Sequence, residues 1–352
     1  MNLPPINQQS LLDFLIRLLN TPSPTGYTSA AVELTLAEFS RLPGVSTRKT
    51  RKGALIATAP GARSESPRAV SAHVDTLGAM VKEIKANGRL RLTAIGGLPW
   101  NAVEAEGCTV FASGGAPLRG SVLPEQASVH VYGARVSENK RSDSLMEVRL
   151  DARTASAAQT AQLGVSVGDF VAFDPRVEVN EGFIRSRFLD DKAGVACVLA
   201  ALQALLNAGM QPAQTTHFLI SVYEEVSHGG AAGLPPDVAE MLVVDMAAIG
   251  EGQNSDEQHT SICVKDNFSP YDHAFSTELR RLADRHQIPY QVDIYPYYSS
   301  DGSVLWRSGS DARVALIGPG VDASHHYERT TLTALVDTAR WIAAYLLADG
   351  DG

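Results

Sequence analysis

Residues 219–230 read LISVYEEVSHGG. An apolar run from Leu219 to Tyr223 stops at two adjacent carboxylates, Glu224 and Glu225. Neighbouring residues on a strand point to opposite faces. Two like charges at the end of a buried strand repel and are costly to desolvate, so something nearby must favour them. The segments around this stretch show what sort of frame carries it. THFLISVY (216–223), EMLVVDM (240–246), YQVDIYP (290–296) and RVALIGPG (313–320) read as strands. KAGVACVLAALQALLNAG (192–209), FSTELRRLADRHQ (275–287) and TTLTALVDTARWIAAYLLAD (330–349) read as helices between or after them. Strands alternating with helices predict an α/β fold, a mixed sheet with helices on both faces.

Upstream, Ser10 and the apolar run of Leu11, Leu12, Phe14, Leu15, Leu18 and Leu19 predict a helix capped at Ser10 and stopped by TPSPTG (21–26). A second helix is expected over 29–42. ALIATAP (54–60) and PRAVSAHVD (67–75) read as short strands. After Asp75 the rhythm changes. GRLRLTAIGG (88–97), GCTVFASGG (107–115) and SVHVYG (128–133) are short, alternating and punctuated by glycine, which predicts an inserted β-rich module. The expected division is one α/β domain formed by 1–76 and 172–352, with a small β-rich insertion at 77–171.

Polar residues gather at the element ends. His73 and Asp75 close one strand, Asp190 and Asp191 precede a helix, Glu224 and Glu225 close a second strand, and Asp245 closes a third. His325 and His326 follow the last strand. In open α/β sheets ligands bind outside the carboxyl ends of the strands, so five segments can converge there. Each feature alone is common: an N-cap, a solvated loop charge, a surface histidine pair. Together, carboxylates and imidazoles at one sheet edge suit a divalent metal such as zinc or cobalt. One glutamate could then bind metal while the other takes a proton from water. No G-x-S-x-G elbow and no phosphate-cradling GxxxxGK[ST] is present.

With 352 residues and a net charge of −9, the chain is a poor partner for nucleic acid or an anionic membrane. No apolar stretch reaches bilayer-spanning length. Cys108, Cys197 and Cys263 form no CxxC and read as buried thiols of a cytoplasmic protein.

AHVDTLGAMV (72–81), FLDDKAGVA (188–196), VYEEVSHGGA (222–231), VVDM (243–246) and a histidine shortly before YERT (327–330) resemble, in that order, the tetrahedral and glutamyl aminopeptidases, peptidase family 42. The resemblance covers nearly the whole chain. It implies the dinuclear metallopeptidase fold, of the phosphorylase/hydrolase-like type, with the insertion as a dimerisation domain. It implies two divalent metals, Zn2+ or Co2+. His73, Asp190, Glu225, Asp245 and His325 would be ligands, with Asp190 bridging and His326 the alternative to His325. Glu224 would be the catalytic base acting on a bridging water, and Asp75 would orient the His73 ring. Substrates would be short peptides or dipeptide-like molecules, cleaved at the N-terminal bond, and the protein would be a homo-oligomer, a dimer or a dodecameric cage. Glu251 and Asp301 are candidates for holding the substrate amine. VDMAAIGEG (244–252) and SHHYERT (324–330) depart from the usual family blocks. They leave room for an amidohydrolase or deacylase acting on a modified dipeptide or acyl-amino acid, and resemble a subgroup linked to an osmoprotective dipeptide. A non-catalytic binding or assembly protein is a third reading, which the retained Glu224 disfavours.

Overall fold

The structure is a computed structural model and describes residues 2–349. Nine strands form one mixed sheet. Across it lie, in order, Ser46–Lys49, Leu55–Ala59, Gln214–Ser221, Arg63–His73, Glu240–Val244, Arg313–Val321, Thr260–Lys265 and Tyr290–Ile294, with Ala247–Ala248 paired to Arg313–Val321 off this path. The four central strands, Gln214–Ser221 to Arg313–Val321, are mutually parallel. Their carboxyl ends therefore lie at one edge. The flanking pairings to Leu55–Ala59 and Thr260–Lys265 are antiparallel.

Parallel strands covered on both faces are buried on both, and their sequences run predominantly apolar. All five residues of Glu240–Val244 are buried. Leu242 and Val244 join a core shared with the helices Gln8–Leu19, Leu189–Asn207 and Leu332–Leu347. Met241 and Val243 join a second core on the other face with Leu305 of the helix Asp301–Arg307. The first helix is capped one turn earlier than expected: Asn7 Oδ1 accepts from Ser10 N–H at 3.0 Å. Asn and Ser cap about equally well, so spacing alone did not separate them.

Within the insertion, six strands close into a barrel, from Gly78–Ile84 to Phe170–Phe173. Alternate side chains such as Leu90 and Leu92, with Val110, Val122, Val148 and Val171, fill its interior. SVHVYG is not one of its strands. Val129–Tyr132 forms a helical turn, followed by a second at Arg135–Glu138. Val129 and Val131 are 60% and 71% exposed, so this apolar alternation packs on no sheet and local hydrogen bonding decides its conformation. A three-stranded sheet of Glu178–Asn180, Phe183–Ser186 and Glu328–Thr331 lies outside both larger sheets. No helix among the described residues is long and apolar enough to cross a membrane.

Candidate metal centre

The parallel strands deliver their last residues to one edge. His73 ends Arg63–His73, Asp245 follows Glu240–Val244, and Glu224 and Glu225 follow Gln214–Ser221 in a single 3-10 turn. Asp190 opens the helix Leu189–Asn207 with non-helical backbone angles. His325 comes from the loop after Arg313–Val321 and has φ 64°. Phe188 and Ser227, beside the other two loops, are also left-handed, at φ 69° and 62°. For non-glycine residues such backbone is uncommon and gathers where surrounding structure over-determines it.

Asp190 sits between the two imidazoles. Its Oδ1 is 3.2 Å from His73 Nε2 and its Oδ2 is 3.5 Å from His325 Nε2. Glu225 Oε2 is also 3.5 Å from His325 Nε2, and Glu224 Oε2 is 3.8 Å from His73 Nε2. Donor atoms of His73, Asp190 and Asp245 all fall within 4.8 Å of one another. His326 is elsewhere, its Nε2 3.4 Å from the Asn101 amide.

Both rings are fixed in the same way. His73 Nδ1 lies 3.0 Å from Asp75 O, and His325 Nδ1 lies 3.1 Å from Gly97 O. A carbonyl can only accept, so each Nδ1 carries a proton there, and each Nε2 is turned towards the carboxylates of the cluster. Asp75 has a wider part than ring orientation. Its carboxylate, 3.5 Å from His73 Nδ1, accepts from Glu224 N–H at 3.2 Å, Glu225 N–H at 3.3 Å and Thr25 Oγ1 at 2.7 Å. It thereby fixes the backbone of both glutamates. Asp191 is buried, and its Oδ2 accepts from His73 N–H at 3.2 Å.

Burial pushes the Glu224 carboxyl well up, aided by Asp245. Burial and neighbouring Asp190 raise Glu225 to about 8 and Asp245 to about 7. Asp190 resists the same burial because hydrogen bonds from His325 and His73 hold it below the usual carboxylate range. Glu224 Oε1 is buried with no hydrogen-bond partner. Among the described residues no lysine or arginine lines the cleft to balance these carboxylates. Imidazole nitrogen with carboxylate oxygen is a donor set that fits a borderline divalent cation.

Three positions that support the cluster carried no role in the sequence reading. Glu328, buried in its strand, accepts from Asp190 N–H at 3.1 Å and His325 N–H at 3.0 Å, joining two segments of the cluster that are 135 residues apart in sequence. Thr25 buttresses Asp75, and Tyr298 donates to Met246 O at 2.9 Å beside Asp245. Glu328 lies in the YERT block, but nothing in its neighbours marks it as buried. Glu251 and Asp301 do not line the cleft above the cluster. Glu251 is exposed in its loop. Asp301 is buried behind the glutamates: a Cβ on Gly229 would meet its Oδ1 at 2.3 Å. The cleft itself, about 410 Å³, is floored by Asp190, Glu224, Glu225, Asp245 and His325.

Residues 53–340 match the family described as M42 glutamyl aminopeptidase. A Bacillus subtilis (strain 168) protein named "Putative aminopeptidase YhfE" is 46% identical over 339 residues, covering 95% of this chain and 96% of that one. In fold, the TET aminopeptidase from the marine sediment archaeon Thaumarchaeota archaeon SCGC AB-539-E09 is similar with a TM-score of 0.85 at 15% identity, covering 96% of each chain. The Pyrococcus horikoshii TET1 peptidase gives 0.82 at 20% identity, covering 96% of this chain and 99% of that one. With most of its length matched, the chain belongs to the M42 glutamyl aminopeptidase family.

Proposed function

We propose that this aminopeptidase holds two divalent metals, zinc or cobalt, and removes the N-terminal residue of short peptides, with Glu224 as general base. The observation that supports it most directly is the Asp190 carboxylate, whose two oxygens face the Nε2 atoms of two histidines anchored on different loops. His73 and Asp245 would hold one cation, Glu225 and His325 the other, and Asp190 both. Two metals, when bound, supply an acidified water and positive charge for the carbonyl oxygen.

The chain's own residues do the rest. Glu224 lines the cleft and is held from behind by Asp75, and its Oε1 makes no other hydrogen bond. It takes a proton from the attacking water and delivers that proton to the departing amine nitrogen. The water oxygen ends on the carbonyl carbon as the new carboxylate. Asp75 and Glu328 keep base and ligands in register through backbone N–H groups rather than through mobile side chains. A cytoplasmic location and self-association follow the same reading. The P. horikoshii TET1 peptidase can assemble into a tetrahedron or a large octahedral shell, and the barrel at 78–173 is the surface by which this chain would pair.

The test is metal analysis of the purified protein followed by hydrolysis of matched peptides with free and acetylated N-termini. Acetylation removes the amine charge and its hydrogen bonds, so the rate should fall on the order of a hundredfold. Equal or faster cleavage of the acetylated peptide would sink the exopeptidase reading and favour a deacylase.

A further inference from the structure

The cleft wall opposite the metal centre has a chemistry of its own. Met246 follows Asp245, Ala248 ends the short strand Ala247–Ala248, Gln253 comes from the next turn, and Tyr295, Tyr297 and Tyr298 from the segment after Tyr290–Ile294. The other wall positions are serines and a proline. Among the described residues lining the cleft there is no lysine or arginine, and no carboxylate beyond Asp190, Glu224, Glu225 and Asp245.

Three of the polar side chains of this wall are engaged with the protein itself. Tyr298 donates its hydroxyl to Met246 O at 2.9 Å. The Tyr295 hydroxyl lies 2.8 Å from Ser255 Oγ, which in turn donates to buried Asp293. The Gln253 amide, oriented so that its nitrogen meets acceptors, donates to Asp293 Oδ1 at 3.2 Å and Ile294 O at 2.8 Å. Asp293 further accepts from Asn254 and Ser255 N–H groups at 2.8 Å, which ties down the loop carrying Gln253. What remains facing the cleft is uncharged: ring surface, a thioether, a methyl group and the hydroxyls of Tyr297, Ser227, Ser299 and Ser324.

We infer that this wall is the seat of the substrate's first side chain and that it selects an uncharged, predominantly apolar N-terminal residue. The inference rests on the exopeptidase reading. A glutamyl side chain would need a cation in the wall and a lysyl side chain an anion, and the wall supplies neither. Placing either charge there leaves it desolvated without a partner. Leucyl, methionyl and aromatic side chains pair with the surface that is present.

The metal-loaded protein should be assayed on aminoacyl p-nitroanilides of leucine, methionine, phenylalanine, lysine, arginine and glutamate. The three neutral substrates should exceed the charged ones in kcat/KM by roughly tenfold to a hundredfold. Lysyl or glutamyl substrates cleaved as well as leucyl would overturn the inference. Ala248→Asp places a carboxylate in the wall and should raise the lysyl-to-leucyl ratio on the order of tenfold. An unchanged ratio in a folded variant would show that the first side chain sits elsewhere. If no substrate is hydrolysed, the exopeptidase reading fails and binding decides the pocket alone. Calorimetric titration of the metal-loaded protein with free leucine, methionine, lysine and glutamate should then show binding of the first two only, and the reverse order would refute the neutral pocket.

Discussion

Glu224 and Glu225 share a peptide bond and a common support, the Asp75 carboxylate behind their N–H groups. Their side chains diverge: Glu225 reaches the His325 imidazole, and Glu224 the His73 side of the cluster. Two adjacent carboxylates thus have separate work in the proposed mechanism. Glu224→Gln should lower kcat by roughly 10²–10⁴-fold with two metals per chain retained, because the amide keeps the shape but cannot take a proton. Glu225→Gln should instead lower metal occupancy. Parallel kinetics and elemental analysis of both variants check this; a Glu224→Gln protein that loses metal and regains full turnover when metal is restored would reverse the assignment.

Loops at the strand ends are held by close backbone approach as much as by hydrogen bonds. The 3-10 turn at Gly229–Ala231 packs on the first turn of the helix Asp301–Arg307 so closely that a Cβ on Gly230 would lie 2.2 Å from Asp301 O. Backbone cannot step aside as a flexible side chain can. Gly230→Ala should therefore cost about 1–3 kcal/mol, as overpacking does, and disturb the Glu224 turn. A urea titration with a kcat measurement on the same variant reads both effects. On the sheet's other flank, His217 on the Gln214–Ser221 strand pairs its Nδ1 with Thr58 Oγ1 at 2.9 Å. Burial holds its pKa below the ordinary histidine value. A folded-state value below the unfolded one means a contribution present above the unfolded pKa and lost as pH falls through the folded one. His217→Gln removes that contribution. Its urea midpoint should lie below wild type at neutral pH, and the gap should narrow as pH drops towards 5. A gap that stays constant from pH 7.5 to 5 would show that His217 does not titrate differently in the two states.

At the scale of the molecule, a small barrel is threaded between the His73 strand and the Asp190 helix, so the chain leaves the metal edge and returns to it around 78–173. Ordering so many residues carries an entropic cost that a self-association role would explain. Multi-angle light scattering at micromolar concentration should show a dimer or larger particle in both low and high salt. A monomer under both conditions would remove the barrel from that role.

That His73, Glu224, Glu225 and Asp245 gather at one edge was legible in the sequence, because parallel strands place their carboxyl ends together and these residues are polar stops after apolar runs. The α/β rhythm and the change to short alternating segments after Asp75 likewise marked the main sheet and the barrel, because hydrophobic period is a local property. Tertiary structure alone brings Glu328 behind Asp190 and His325, places His325 rather than His326 at the cluster, and turns Asp301 inward behind Gly229. It also offers Val129–Tyr132 no strand to pair with, so local hydrogen bonds leave that segment as a helical turn. In each of these cases the deciding neighbour is distant in sequence or absent. A buried glutamate and a solvated one, or a paired strand and an unpaired apolar turn, can be written with the same residues.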